Sequence, residues 1–232
     1  MPLQVFSGET TPILGIGSPI ITEGLRRKLT STLQRDNYEI IIDKEGGIGM
    51  DLMDAIKGRR SIRKYRPDPV SEEVLQKVMD ALRWTPSWAN TQCWEVIVVK
   101  DPRGKTELLE AVSETNPAFS SIMEAPLLLI LCGKKGIAGY YKGQPRTAKG
   151  DWFMFDSGLA MQNLCLAAYA LGLGTVIIGA FDHKKAEKIL GLPQDVEVVA
   201  MTPLGYPASK GATPRRKEIS EFVYYEKYPG RQ

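Results

Sequence analysis

Apolar residues recur with a helical period in several stretches after residue 50. Asp51 precedes a short apolar pattern that ends at Gly58, and Ser71 precedes a longer one that reaches Trp84. Asp and Ser side chains at such positions accept hydrogen bonds from the first free backbone N–H groups of a helix. The patterns therefore predict one helix after Asp51 and a second after Ser71. Further helices are predicted near 105–113, over 153–171, and over 183–190 with Gly191 as its end.

Runs of β-branched and other apolar residues lie between these helices and have the character of strands. They cover residues 94–99, 127–132, 175–178 and 196–202. The pattern over 153–171 is apolar around most of its circumference, which predicts a central helix buried on several sides. Helices and strands mixed in this order predict an α+β or α/β fold with helices on both faces of a sheet.

The first 50 residues differ from the rest of the chain. Gly and Pro interrupt residues 12–19, leucines at 25, 29 and 33 predict a short helix, and residues 38–42 predict a strand. We interpret residues 1–50 as an N-terminal extension or arm and residues 51–232 as one domain. One hypothesis from composition is that the arm wraps a partner subunit.

Composition excludes several classes of function. Thirty basic and 27 acidic residues give a net charge of +3, too small to indicate nucleic acid or membrane as a partner. The longest apolar run, 125–132, is far below the ~20 residues of a membrane-spanning helix. Three cysteines without paired spacing and a single histidine predict no metal site. The odd cysteine count and the absence of a signal-peptide pattern favour a cytoplasmic location.

A cluster of four cations and one hydroxyl lies between Arg59 and Lys64, where a helix is predicted to end. Arginine binds phosphate in a bidentate manner and serine adds a short hydrogen bond, so Arg59, Arg60, Ser61 and Arg63 could hold a monophosphate without metal. A solvated basic helix end would have the same composition.

Three further segments could carry chemistry. The loop from Pro86 to Trp94 combines amides, hydroxyls and two indoles, and an ordinary turn with packed tryptophans is the alternative. Gly179 follows the predicted strand 175–178, at a point where backbone could approach a flat ligand. Arg215 and Arg216 form a second cationic group, or a solvated run near the C-terminus.

Together and in this order, these segments resemble the FMN-dependent nitroreductase family. The shared elements are Arg-Arg-Ser-x-Arg-x-Tyr from Arg59, Pro-Ser-x-x-Asn-x-Gln-x-Trp from Pro86, Leu-Gly-Leu-Gly-Thr from Leu171, and Leu-Gly-Tyr-Pro from Leu204. The long helix with Asp156, Gln162, Asn163 and Leu164 is also similar, and the resemblance covers residues 51–228.

The resemblance implies a nitroreductase-like three-layer α/β/α sandwich with a mixed, mostly antiparallel sheet and a long central helix. It implies a homodimer with FMN at the subunit interface. Loop 86–93 would approach the flavin from the other subunit. The implied cofactor-binding residues are Arg59, Arg60, Ser61, Arg63, Pro86, Ser87, Trp88, Asn90, Gln92, Ile178, Gly179, Arg215 and Arg216.

The implied activity is transfer of electron pairs from NAD(P)H, a transient donor, to a small-molecule acceptor such as a nitroaromatic or quinone, in a ping-pong cycle. No catalytic side chain is assigned. The chain has Ile178 where many members have Glu and Cys93 where many have Pro, which leaves the acceptor open. The alternatives are a specialised member acting on one metabolite, by dehalogenation, ring oxidation or flavin fragmentation, and a non-catalytic flavin-binding protein. Residues 116–150 are the expected lid or variable segment.

Overall fold

The computed structural model describes residues 41–42 and 48–229, and the chain divides into two units, residues 1–48 and 49–232. The helix predicted around residues 25–33 lies outside the described residues. Of the strand predicted over 38–42, only Ile41–Ile42 is described, as strand β1, and β2 follows at Ile48–Gly49. The division into an arm over 1–50 and a domain over 51–232 stays a prediction.

Four of the six described α-helices begin after a side chain that caps their first turn. They are α1 (Leu52–Gly58), α2 (Glu72–Arg83), α3 (Pro102–Leu109), α4 (Phe119–Glu124), α5 (Phe153–Ala170) and α6 (His183–Leu190). Asp51 accepts hydrogen bonds from the backbone N–H groups of Met53 and Asp54, and Ser71 accepts one from Val74. Gly191 ends α6 in the left-handed conformation, with φ 65°.

Two helices differ from the sequence prediction. Helix α3 begins at Pro102 and ends at Leu109, whereas the prediction placed it near 105–113. Asp101 caps it and Pro102 fits its first turn, so the local signal lies three residues before the predicted start. Helix α4 was not predicted, and it has no side-chain cap. It lies within the segment 116–150 that the sequence assigned to a lid.

The remaining strands form one larger sheet and one hairpin. They are β3 (Trp94–Val99), β4 (Leu127–Lys134), β5 (Tyr140–Tyr141), β6 (Gln144–Pro145), β7 (Gly174–Thr175) and β8 (Val196–Gly205). Strands β3, β4, β8 and β7 lie side by side in this order, all antiparallel, while β5 pairs with β6. The predicted strand 175–178 is reduced to β7 and an isolated bridge between Ile178 and Met201. A parallel bridge between Ser61 and Thr175 makes the pairing mixed.

Alternate residues of β4 face two separate hydrophobic cores. Leu127, Leu129 and Leu131 pack with residues of α2 and α5 on one face. Leu128, Ile130 and Cys132 pack on the other face with residues of α3, α4 and α6. The sheet is therefore covered by helices on both sides, and the predicted three-layer sandwich with α5 as its long helix is confirmed. Within the described ranges no helix is long and apolar enough to cross a membrane.

A β-bulge in β8 changes which residues face each core. Leu131 is opposite Ala200 and Cys132 is opposite Val198, so Val199 is an extra residue in β8. For this reason Val196, Val198 and Met201 all reach the second core although their numbers break strict alternation. Regular alternation of residues between the two cores therefore ends at the bulge.

Candidate functional site

The arginine-rich segment lies along an edge of the sheet. Helix α1 ends at Gly58, and the chain then runs extended beside β7, where the Ile62 backbone N–H donates to the Thr175 carbonyl over 2.9 Å. This pairing fixes Ser61, which is half-buried, at the sheet edge. The buried Tyr65 closes the segment by donating its hydroxyl hydrogen to the Ile62 carbonyl over 2.8 Å.

The three arginines of this segment have different surroundings. The Arg60 guanidinium donates to the carbonyls of Lys57 and Arg59 over 2.6 and 2.7 Å, and its Nε donates to the Thr213 hydroxyl over 3.1 Å. Among the described residues, no hydrogen bond or ion pair engages the guanidinium groups of Arg59 or Arg63. Arg60 therefore holds the backbone together, while the other two remain available to an anion.

The C-terminal tail packs directly against this segment. A Cβ added to Gly211 would lie 2.6 Å from the Arg60 Cβ and 3.0 Å from the Ser61 carbonyl oxygen, so only glycine allows the approach. The predicted residues Arg215 and Arg216 follow shortly after Thr213 and are exposed, and Arg216 donates weakly to the Pro214 carbonyl over 3.4 Å. The Arg60–Thr213 contact brings the tail to the arginine segment, and no local pattern in the sequence pointed to it.

The loop 86–93 has a strained backbone. Ala89, Asn90 and Gln92 have φ angles of 44°, 57° and 47°, in the left-handed region that non-glycine residues rarely adopt. Ser87 stabilises the loop because its hydroxyl oxygen accepts a hydrogen bond from the Gln92 N–H over 2.9 Å. The Gln92 side-chain amide donates to the Asn90 Oδ1 over 3.1 Å.

Asp156 in the first turn of α5 anchors this loop. Its carboxylate, 1% exposed, accepts hydrogen bonds from the Trp88 backbone N–H over 3.0 Å and from the Cys93 thiol over 3.7 Å. Burial and the neighbouring Asp156 carboxylate raise the pKa of Cys93 to about 12. The thiol stays protonated near neutral pH, so Cys93 is a packed structural residue rather than a redox thiol.

Aromatic residues extend the loop toward the start of α5. The rings of Trp88 and Trp152 lie 5.2 Å apart, and Trp152 contacts Phe155 at 5.3 Å in an edge-on arrangement. The Trp152 indole N–H donates to the Thr147 hydroxyl over 2.9 Å. Phe155 is 58% exposed, so the cluster ends in an apolar surface beside the loop.

The segment from Ile177 to Gly179 leaves open space beside its last residue. The Ile178 side chain is 2% exposed and belongs to the second core, and its N–H and carbonyl both pair with Met201. Ile178 therefore positions Gly179 and has no free side chain for a ligand. A Cβ added to Gly179 would meet no atom within 4 Å, which leaves room for a flat group beside its backbone.

One subunit does not bring the arginine segment and loop 86–93 together. Asp156, which binds the loop, is near the start of α5, whereas Tyr169, which packs against Gly58, is near its end. Thirteen residues of helix separate the two positions, or about 20 Å at the helical rise of ~1.5 Å per residue. The two groups of predicted site residues therefore lie at opposite ends of α5.

Two other kinds of site are less well supported in the described part of the chain. No group of three His, Cys, Asp or Glu side chains there could hold a metal ion. A surface cavity of about 520 Å³ beside α6 contains none of the predicted site residues. Its lining includes Lys184 and Glu187, which pair with each other at 2.9 Å. The predicted cofactor-binding residues are therefore a better candidate for the functional site than the cavity beside α6.

Proteins of known sequence resemble this chain over most of its length. It is 31% identical over 203 residues to an NADH dehydrogenase from Thermus thermophilus, covering 76% of this chain and 96% of that protein. It is 29% identical over 189 residues to an FMN reductase (NAD(P)H) from Bacillus subtilis, covering 77% and 74%. It is 28% identical over 181 residues to a 5,6-dimethylbenzimidazole synthase from Rhodobacter capsulatus, covering 70% and 86%.

Solved structures share the fold as well. A nitroreductase family protein from Clostridium difficile superposes with a TM-score of 0.65 and 26% identity, covering 77% of this chain and all of that chain (100%). A second, from Clostridium novyi, gives a TM-score of 0.62 with 27% identity. A sequence model of the nitroreductase family matches residues 56–206, which include the arginine segment, loop 86–93 and Gly179. By sequence and by fold, the chain belongs to the nitroreductase family.

Proposed function

We propose that the protein is a homodimeric, FMN-dependent oxidoreductase that transfers electron pairs from NAD(P)H to an organic acceptor such as a nitroaromatic or a quinone. The observation that carries the proposal is the pair of guanidinium groups of Arg59 and Arg63, which have no partner within the described residues and flank the half-buried Ser61 in sequence at the sheet edge. Family membership and the FMN reductase among its relatives support the redox chemistry.

The residues present fit FMN. Two guanidinium groups and a hydroxyl suit a terminal phosphate, because arginine forms bidentate, charge-assisted hydrogen bonds with phosphate oxygens. The open backbone at Gly179 leaves space for a flat ring. When bound, FMN supplies the two-electron redox chemistry, and the protein supplies binding, orientation and control of access.

The partner subunit is required by this proposal. The arginine segment and loop 86–93 lie about 20 Å apart along α5, measured at ~1.5 Å per residue. Pro86, Ser87, Trp88, Asn90 and Gln92 would therefore meet the flavin that the arginine segment of the other subunit holds. Contacts from both chains would exclude water from the flavin ring and orient the ring.

The donor and the acceptor are proposed to use one position in turn. The chain has no Gly-x-Gly-x-x-Gly segment for a separate dinucleotide domain, so NAD(P)H would bind only transiently over the exposed face of the flavin. The acceptor would occupy the same place after the oxidised nicotinamide leaves, which is a ping-pong cycle. No side chain of this protein is assigned as an acid or base.

The test follows the visible spectrum of the purified full-length protein, reconstituted with FMN if necessary. Anaerobic NADH or NADPH is expected to bleach the flavin bands, and a quinone or nitroaromatic is expected to restore them. If FMN does not bind even after reconstitution, the proposal fails. If FMN binds but neither nicotinamide reduces it, the proposed reductase activity is excluded.

A specialised reaction on one metabolite is the second candidate, and the similarity to a 5,6-dimethylbenzimidazole synthase favours it. Ile178 and Cys93 depart from the pattern that is typical of nitroreductases. This departure is compatible with a specialised reaction on one metabolite. Flavin that stays oxidised with both nicotinamides but is reduced or consumed with one metabolite class would support this candidate. Bound flavin with no turnover of any kind would indicate a non-catalytic flavin-binding protein.

A further inference from the structure

The segment between β4 and α5 contains a short hairpin, β5–β6. Tyr140 pairs with Pro145 and Tyr141 with Gln144, and the connecting residues Lys142 and Gly143 have φ angles of 50° and 73°. Positive φ at both central residues is the geometry of a tight two-residue turn. The Arg146 backbone N–H donates to the Gly139 carbonyl over 2.8 Å and extends the pairing. The tip therefore has a defined shape.

The hairpin carries positive charge without compensation. Residues 135–150 contain no acidic residue, and Asp151 at their end uses its carboxylate on the backbone N–H groups of Gly136 and Phe153. Lys142 and Arg146 both lie over the ring of Tyr141, at 5.5 and 5.6 Å from its centre. No ion pair engages these two cations or Lys149 among the described residues. Two cations held close together over an exposed aromatic ring, and unpaired within the described residues, suit an anion.

A chain of contacts joins the hairpin to loop 86–93. A Cβ on Gly139 would lie 2.5 Å from the Trp152 ring, and Trp152 also binds Thr147 through its indole N–H. Trp152 in turn packs on Trp88 of the loop. The hairpin is thus held beside the loop that, in the proposed dimer, meets the flavin.

We propose that this hairpin binds an anionic group on the molecules that exchange electrons with the flavin. Arg146 and Lys142 provide the charge, and the Tyr141 ring beneath them holds the two cations together. The proposal rests on the proposed function for its place beside the flavin. The anion is a carboxylate on the acceptor or the phosphates of the nicotinamide cofactor. Both groups present anionic oxygens to the cations of the hairpin.

The test is calorimetric titration of the oxidised, FMN-loaded protein, which requires no turnover. The probes are 4-nitrobenzoate, its uncharged methyl ester, and NAD⁺. Arg146→Gln is expected to weaken binding of an anionic probe by roughly threefold to fivefold, the upper part of the range for an exposed charge pair. The double variant Lys142→Gln/Arg146→Gln is expected to lose more, while the methyl ester binds each protein equally.

The controls separate charge from folding. Arg146→Lys keeps the charge and is expected to retain most of the affinity, and Arg103→Gln removes an exposed cation on α3 and should change nothing. A loss for 4-nitrobenzoate identifies the acceptor as the source of the anion, and a loss for NAD⁺ identifies the nicotinamide. Unchanged binding of both anions to the double variant would overturn the inference. Failure of the proposed function would be seen separately, as flavin that no nicotinamide reduces.

Discussion

Arg59, Arg60 and Arg63 are close in sequence, yet the folded chain gives them different tasks. Arg60 donates to two backbone carbonyls and to Thr213, whereas Arg59 and Arg63 have no such partner within the described residues. A guanidinium that is already satisfied gains little from a phosphate, while an unpaired one gains charge-assisted hydrogen bonds. We therefore expect substitutions at these positions to affect different properties.

Arg59→Gln and Arg63→Gln are each expected to weaken FMN binding by roughly tenfold to a hundredfold, since a hydrogen bond to a charged group contributes about 1.5–3 kcal/mol. Arg60→Gln is expected instead to lower the free energy of unfolding by about 0.5–1.5 kcal/mol, because it loses the contact with the tail. Fluorescence titration of the apoprotein with FMN and urea denaturation measure the two effects.

Arg103→Gln serves as the exposed control for both measurements. The assignment would be wrong if Arg60→Gln weakened FMN binding as strongly as Arg59→Gln and left stability unchanged. Equal FMN affinity in all four variants would remove the arginine segment from the cofactor site altogether.

At the scale of single residues, contacts within one helical turn could be predicted from the sequence, whereas contacts between residues far apart in the sequence could not. Asp51, Ser71 and Gly191 act within one helical turn, and the structure confirms each. The contacts of Arg60 with Thr213 and of Asp156 with Trp88 span 153 and 68 residues. Such pairs depend on the whole fold, so composition and spacing could suggest candidate residues but not which of them are free.

The secondary-structure elements show the same division. Strand β3 and helix α6 have the predicted bounds, because the β-branched run of β3 and the capping residues of α6, Asp182 and Gly191, are local signals. Helix α4 has six residues and no side-chain cap, which explains why its pattern was not recognised. Strand β4 continues two residues beyond the predicted Cys132, through Gly133 and Lys134, since pairing with β3 and β8 continues there.

Helix α5 and loop 86–93 depend on each other. The helix was predicted from its apolar circumference and the loop from its residue types, but the buried Asp156 that joins them was identified only as part of a family pattern. Three non-glycine residues with positive φ cost of order 1–3 kcal/mol each, and contacts such as those of Asp156 are needed to keep them.

Asp156→Ala is expected to lower the free energy of unfolding by about 1–3 kcal/mol, because the Trp88 N–H loses its buried acceptor. It should also weaken FMN binding, since the loop can relax from its strained backbone. Asp156→Asn keeps an acceptor oxygen for Trp88 and is expected to lose less of both. Urea denaturation of the apoprotein and FMN titration provide the readouts.

Asp68→Ala is the matched control, because Asp68 pairs with Arg66 on the exposed surface and its removal should cost less than about 0.5 kcal/mol. If Asp156→Ala matched the wild type in both stability and FMN affinity, the loop would be held by its own contacts alone.

Large apolar side chains are exposed on α1, on α5 and in the C-terminal tail. On α1, Leu52, Met53 and Ile56 face outward, and only Ala55 of that helix is buried. Helix α5 exposes Met154 and Phe155, at 56% and 58%. The tail adds further exposed residues, which are Ile219, Phe222, Val223, Tyr224, Tyr225 and Tyr228. Groups of exposed apolar residues such as those on α1 and in the tail are typical of an interaction surface.

A second copy of the chain is the occupant we propose for this surface. The two halves of the predicted cofactor site lie at opposite ends of α5, so a site within one chain would be incomplete. Pairing of two copies would complete both sites and cover the apolar residues at the same time. The sequence suggested a dimer only through its resemblance to a family, whereas the exposed residues and the separation along α5 give a physical reason.

The full-length protein is therefore expected to have twice the 25.7 kDa mass of the chain in solution, as measured by light scattering after gel filtration. Ile56→Glu places a charge on the exposed face of α1 and should shift the mass toward one chain. FMN should be lost in parallel, because dissociation removes loop 86–93 of the partner from each site. Met123→Glu on α4 introduces the same charge at an isolated exposed residue and is expected to leave mass and flavin content unchanged. A monomeric wild type that retains FMN would show that one chain holds the cofactor alone, and the two-chain site would then be wrong.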